Sequence, residues 1–180
     1  MALHRQPQRA AEAESAFRTA IELDPKEAYF WGALGDLLVK TPERSAEAEA
    51  AYRKTIELDP GLAIYWADLG YLLAKAPERA VDAEAAYREA ITLSPEEARN
   101  WSNLGLFLAC RVNKPRDAEA AFHNAIRLRP DHAPTIRNLG VLLYCELNDL
   151  PGAVNNPGAC SSAQSRGSNQ PGYCAGSETQ

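Results

Sequence analysis

A step of 35 residues recurs along this chain and constrains its fold more than any other feature. A proline, a tryptophan, a Leu-Gly pair and an aromatic residue all keep the same step, so repetition of a single letter does not explain the pattern. Sustained self-similarity of this kind is the mark of a protein built from stacked repeat units. The recurring residues are Pro25, Pro60, Pro95 and Pro130; Trp31, Trp66 and Trp101; Gly35, Gly70, Gly105 and Gly140; and Phe17, Tyr52, Tyr87 and Phe122.

Each repeat unit is predicted to contain two helices. Residues 61–75 carry apolar side chains at steps of three and four, and residues 46–58 carry an alanine-rich stripe suited to close packing. We expect the pair Asp59-Pro60 to begin the first helix, with Asp as its cap and Pro at its first position. Glycine costs about 1 kcal/mol in a helix interior. We therefore expect the in-register glycines to receive the small face of the second helix, near Ala48.

These residues resemble the tetratricopeptide repeat, whose pattern combines Trp-x-x-Leu-Gly with a later Ala, an aromatic residue, another small residue and Pro. The resemblance extends over residues 8–147, although the usual unit of the family has 34 residues. It implies an all-α fold, an α-solenoid of stacked antiparallel helix pairs that forms a right-handed superhelix. A pentatricopeptide RNA-binding array, another helical repeat of this length, fits less well because the chain is acidic and repeats Trp and Leu-Gly.

The register divides the chain into complete units and two half units. Residues 1–24 supply only a second helix, and residues 131–147 supply only a first helix. Residues 148–180 are rich in Gly, Pro, Ser, Asn and Gln, which predicts a low-complexity, disordered tail. Solenoids normally finish in polar-faced caps, so we expect the uncapped ends to drive self-association, or the natural array to be longer. The complete tetratricopeptide units are residues 25–60, 60–95 and 95–130.

Composition and motifs exclude several function classes. The chain has 19 Lys and Arg against 24 Asp and Glu, a net charge of -5, which argues against nucleic acid as a partner. No apolar stretch reaches the 18 or so residues of a membrane span, and the N-terminal residues lack a secretory signal. The sequence contains no phosphate-binding glycine loop, nucleophile elbow or zinc-protease motif. We therefore expect a cytoplasmic, non-enzymatic protein with no cofactor, no metal site and no membrane contact.

The resemblance also implies where a partner binds. In tetratricopeptide arrays the first helix of each pair lines a concave groove, and fixed positions on it project into that groove. We expect a peptide segment of another protein, extended or helical, to bind there through apolar anchors and some acidic residues. The groove residues predicted in this way are Tyr29, Asp36, Lys40, Ile64, Asp68, Tyr71, Lys75, Arg99, Asn103, Leu106, Arg137, Asn138, Val141 and Tyr144.

The same transfer of positions excludes one partner class and leaves one alternative. Arrays that clamp the acidic C-terminal tails of heat-shock chaperones need Lys, Asn and Arg at set positions, whereas here a carboxylate would meet Asp36 and Asp68. The sequence thus predicts a protein–protein interaction scaffold with a different partner. The alternative is a substrate-docking fragment of a larger enzyme, a glycosyltransferase or a kinase, whose catalytic domain is absent from this sequence.

Overall fold

The structure, a computed structural model, describes residues 5–147. These residues form eight α-helices and no strand, so the all-α prediction is confirmed. Two short 3₁₀ helices, Pro42–Arg44 and Pro77–Arg79, precede the third and fifth α-helices. The disordered tail predicted for residues 148–180 lies outside the described residues. The helices are α1 (Arg5–Leu23), α2 (Ala28–Leu38), α3 (Ser45–Leu58), α4 (Ala63–Leu73), α5 (Ala80–Leu93), α6 (Ala98–Cys110), α7 (Pro115–Leu128) and α8 (Ala133–Leu147).

The helices pack as antiparallel pairs that stack one on the next. The most extensive contacts join α2 to α3, α4 to α5, and α6 to α7. Between pairs, α3 packs on α4 and α5 on α6, while α1 packs on α2 and α8 on α7. We call α2, α4, α6 and α8 the first helices, and α1, α3, α5 and α7 the second helices. This arrangement confirms the predicted α-solenoid.

The glycines of the repeat accommodate aromatic rings. A Cβ atom placed on Gly35 would lie 2.6 Å from the ring of Tyr52, and one on Gly70 would lie 3.1 Å from the ring of Tyr87. The prediction that alanines such as Ala48 fill this place was therefore wrong, because the aromatic residue of the second helix covers the glycine. Ala48 is itself fully buried. A tightly packed ring explains why a residue unfavourable to helices recurs at this position.

The first helices begin three residues after the recurring proline. The Oδ1 atom of Asp24 accepts a hydrogen bond from the backbone N–H of Lys26 at 3.2 Å, which forms an Asx turn. The cap of α2 is Glu27, whose carboxylate accepts from the backbone N–H of Tyr29 at 3.2 Å. The predicted Asp cap with Pro at the first helical position was therefore wrong. The Asp-Pro pair instead shapes the turn that leads into the helix.

Each tryptophan connects its helix to this turn. Its indole Nε1–H donates a hydrogen bond to the carbonyl oxygen of the proline six residues earlier, and each ring is half-buried. Three such bonds hold the corners between units in the same geometry. The pairs are Trp31 with Pro25 (3.0 Å), Trp66 with Pro60 (3.0 Å) and Trp101 with Pro95 (2.8 Å).

A row of ion pairs joins successive second helices, and we call it the ion-pair ladder. Each pair links a carboxylate to a cation 30 residues later, at the start of the next second helix. The hydrogen bond from Arg44, assisted by Arg18, holds the pKa of Glu14 at about 2, well below its usual range. These pairs connect each second helix to the next one in the stack. The pairs are Glu14 with Arg44 (2.6 Å), Glu49 with Arg79 (3.1 Å) and Glu84 with Lys114 (2.9 Å).

Candidate functional site

The predicted groove residues lie on the first helices or directly after them, and we call this set the first-helix face. Most of its side chains are exposed, four are half-buried, and one is buried. The exposed residues are Tyr29, Asp36, Lys40, Ile64, Tyr71, Lys75, Arg99, Arg137 and Tyr144. The half-buried residues are Asp68, Asn103, Leu106 and Val141, and the buried residue is Asn138.

Large apolar side chains are exposed along the first-helix face. Tyr29 is 60% exposed, Tyr71 is 52% exposed and Tyr144 is 56% exposed, and Ile64 is also open to solvent. The ammonium group of Lys75 lies 4.9 Å from the centre of the Tyr71 ring, in a cation–π contact. Tyrosine has an apolar ring and a polar hydroxyl, which suits it to contacts with another protein. These residues give the face apolar contact area in several units.

Two carboxylates lie close to each other near the N-terminal end of this face. Burial, together with the charge of Asp36, raises the pKa of Asp68 to about 6, while the charge of Arg99 opposes the change by less. Partial desolvation also raises the pKa of Asp36, although the residue is exposed overall and a hydrogen bond from Tyr52 and the charge of Lys40 oppose the change. Both acids therefore lie where their negative charge is poorly compensated. Such a site favours a cationic group and disfavours a carboxylate.

Tyr52, a second-helix residue, contributes to this site and was not among the predicted residues. Its hydroxyl donates a hydrogen bond to Oδ1 of Asp36 at 3.1 Å. The sequence offered a signal, because the corresponding pair one repeat further on is Tyr71 with Tyr87 and the next is Leu106 with Phe122. Tyrosine thus occurs where the residue 16 positions earlier is polar or aromatic, and phenylalanine where it is aliphatic.

Polar side chains between α6 and α8 support the C-terminal end of the face. The hydroxyl of Thr135 donates to that of Ser102 at 2.9 Å, and both residues are buried. The guanidinium group of Arg137 donates to Oδ1 of Asn138 at 3.2 Å. Arg137 therefore presents its charge at the surface from a position held by the buried amide of Asn138.

Residues 5–147 have neither a metal site nor a membrane-spanning helix. Within that range, no three or more His, Cys, Asp and Glu side chains are arranged to hold a metal ion. No helix in the same part of the chain is long and apolar enough to cross a membrane.

Comparison with known families supports the architecture. The sequence model of the tetratricopeptide repeat matches residues 3–63 and 43–98, which together make up more than half of the chain. The chain belongs to the tetratricopeptide repeat family. As a tetratricopeptide repeat protein, it has the fold of a general protein-interaction scaffold, and such repeats typically carry no catalytic site. A comparison with curated protein sequences finds no significant match.

Solved structures of other proteins share this tetratricopeptide fold. PilF of Pseudomonas aeruginosa is 27% identical with a TM-score of 0.70, and the alignment covers 92% of this chain and 72% of PilF. One structure of MamA is 20% identical with a TM-score of 0.69, covering 90% of this chain and 92% of MamA. A second MamA structure gives 20% identity and a TM-score of 0.67, with coverage of 90% and 86%. At this identity the likeness to MamA shows the fold alone.

Proposed function

We propose that this tetratricopeptide repeat protein is a non-enzymatic scaffold that binds a peptide segment of another protein along the first-helix face. The observation that carries the proposal is the exposure of apolar side chains at equivalent places in successive units. Tyr29 and Ile64 are 35 residues apart and both are exposed on the first turn of their helices. Tyr71 adds an aromatic ring about two helical turns after Ile64 on α4. A series of exposed apolar groups on adjacent helices suits an extended or helical ligand.

The carboxylates and the arginines of the face lie in different parts of it, and Lys40 and Lys75 add cations to the part that holds the carboxylates. Asp36 and Asp68 lie on α2 and α4, whereas Arg99 and Arg137 lie on α6 and α8. The peptide we propose places its acidic residues beside Arg99 and Arg137 and its apolar side chains beside the tyrosines. Opposed charges of this kind set the orientation of a ligand more than its affinity.

The test selects ligands first and then removes the charges that we assign to binding. A random peptide library is panned on the full chain, and calorimetry measures the affinity of the selected peptides. The double variant Arg99→Glu/Arg137→Glu should bind the selected peptides roughly tenfold or more weakly. Each substitution removes the cation that pairs with a carboxylate of the peptide and places an acid there. Circular dichroism checks that its helicity is unchanged.

A matched control reverses two charges elsewhere. Arg53 and Arg88 are exposed on the second helices α3 and α5, and each pairs with a carboxylate of its own helix. The variant Arg53→Glu/Arg88→Glu changes the net charge equally and should bind the selected peptides as the unchanged protein does. Equal loss in both double variants, or no loss in either, would contradict the assignment of binding to the first-helix face.

A further inference from the structure

The last helix, α8, has an open packing position. Gly140 stands 35 residues after Gly105, but within the described part of the chain a Cβ atom placed on it would meet nothing within 4 Å. Leu143 is 42% exposed. Its counterparts in the earlier first helices, Leu38, Leu73 and Leu108, are only 2%, 3% and 1% exposed. The surface of α8 is therefore that of a first helix without its second helix.

The first helix of the chain, α1, has the sequence of a second helix. Residues 11–14 and 21–25 repeat residues 46–49 and 56–60 of α3 and its turn letter for letter. α1 packs on α2, as α3 packs on α4, but no first helix precedes it among the described residues. Among the described residues, α1 therefore has the sequence of a second helix but no first helix to pair with.

The face of α1 that would meet a first helix is open to solvent. Ala16 is exposed, whereas its counterpart Ala51 is only 3% exposed. Phe17 is half-buried, whereas Tyr52 at the same position of α3 is buried against Gly35. α1 thus offers an aromatic ring and a small-residue face, which are the two features that α8 lacks.

The ion-pair ladder indicates which chain fills the gap. Glu119 is the next carboxylate of the ladder, and the residue 30 positions later in this sequence is Asp149, an acid. The position that Arg44 occupies in front of α3 corresponds in the repeat register to Arg9, a cation in the first turns of α1. The same register places Pro157 where the aromatic residue stands. The start of a second copy therefore supplies both the cation expected opposite Glu119 and the aromatic residue expected over Gly140. In the sequence of residues 148–157, neither position has a matching residue.

We propose that copies of this chain associate head to tail, with α1 of one copy packed on α8 of the next to complete a repeat unit. Phe17 then covers Gly140, and Arg9 pairs with Glu119. The contact joins two different surfaces and continues the stacking of repeat units from one copy to the next, so it extends as an open linear series. It leaves the first-helix face exposed and is independent of the peptide ligand proposed above.

Sedimentation velocity on the full chain at increasing concentration tests this association. The unchanged protein should form species larger than one chain, in a concentration-dependent series. Leu143→Glu on α8 and Ala16→Arg on α1 should each give a monomer, while the control Val81→Glu should associate normally. Val81 is 81% exposed on α5, so this control adds an acid outside both surfaces. A monomer at every concentration of the unchanged protein would overturn the proposal.

Mixing the two blocked variants separates a head-to-tail contact from a two-fold symmetric one. The Leu143→Glu chain keeps an intact α1 face, and the Ala16→Arg chain keeps an intact α8 face. An equimolar mixture should therefore form a dimer with one contact and grow no further. A two-fold contact between α8 helices would leave Ala16→Arg associating by itself, and that result, or a mixture that stays monomeric, would overturn the proposal.

A charge swap tests the pairing of Arg9 with Glu119. Arg9→Glu places two acids against each other and should weaken association by about tenfold or more. The double variant Arg9→Glu/Glu119→Arg restores an opposite pair and should recover most of the loss. Failure of the double variant to recover would contradict the proposed register, since both residues are on the surface of their own chain and the helices remain intact.

Discussion

The ring of Phe122 lies over Gly105 so closely that a methyl group on this glycine would come within 2.7 Å of the ring. Gly140 occupies the same place one repeat later, and among residues 5–147 no atom lies within 4 Å of the position that a methyl group on it would take. The two glycines therefore have the same helical setting and opposite surroundings. Substitutions at these two glycines can therefore measure separately the effect of ring packing and the effect of low helix propensity on stability.

Substituting these two glycines should change stability in opposite directions. Gly105→Ala should lower the free energy of unfolding by about 1–3 kcal/mol, because the added methyl group displaces a buried ring. Gly140→Ala should raise it by about 1 kcal/mol, because alanine favours the helix and meets nothing. Urea unfolding at a protein concentration low enough to keep the chain monomeric measures both. Changes of the same sign would contradict the packing of ring on glycine.

The pH dependence of stability should have a maximum. The pKa of Asp68 is raised from 3.8 to about 6, so between these values the folded chain binds more protons than the unfolded chain. The free energy of unfolding should therefore rise as the pH falls from 7 toward 5. The pKa of Glu14 is lowered from 4.5 to about 2, so its stabilising contribution is lost as the pH falls below 4.5.

The variant Asp68→Asn isolates the first of these effects. It should be more stable than the unchanged protein at pH 7, and its free energy of unfolding should no longer rise between pH 7 and pH 5. The loss of stability at lower pH should remain, because the ion-pair ladder is unchanged. Parallel pH profiles for the two proteins, measured by urea unfolding, would show that Asp68 titrates normally in the folded state.

The ion-pair ladder should contribute modestly to stability. Arg79 pairs with Glu49 of the preceding second helix at 3.1 Å, and both side chains are partly exposed. A double-mutant cycle with Arg79→Ala and Glu49→Ala should give a small favourable coupling energy, which falls as salt is added. A coupling energy of zero at low salt would mean that the ion pairs of the ladder do not stabilise the fold.

A peptide that ends in the acidic motif of the heat-shock chaperones should not bind. The face presents Asp36 and Asp68 where a chaperone clamp needs asparagines, and burial together with the charge of Asp36 raises the pKa of Asp68, so a further carboxylate is disfavoured there. Calorimetry should detect only weak, non-specific binding. Micromolar affinity that depends on the terminal carboxylate would reverse this conclusion.

The helix pairs were predictable from the sequence because the same motif recurs several times at a constant spacing. One appearance of Trp-x-x-Leu-Gly is weak, but three in register, with Pro25 and its counterparts, define helix pairs and their stacking. Local details were not predictable. Asp24 has the chemistry of a helix cap, yet its oxygen reaches the N–H of Lys26 two residues on. Both uses satisfy a backbone donor, and the sequence pattern does not separate them.

The candidate site was less predictable than the fold. The positions carried over from the family predict which way a side chain projects, but not which residues of other helices it contacts. They indicate that Asp36 and Asp68 project from the first helices but not that Tyr52, on a second helix, donates a hydrogen bond to Asp36. They also include Asn138, which is buried and holds Arg137. Contacts across helices depend on how the helices meet, which the pattern within one helix does not contain.

Chemical-shift mapping with a library-selected peptide tests most directly whether the first-helix face binds protein segments. The amide signals of Tyr29, Tyr71, Arg99 and Arg137 should shift on titration, while those of Arg53 and Arg88 on the second helices should stay in place. Shifts concentrated on α3, α5 and α7, with the first helices unaffected, would contradict the proposed function.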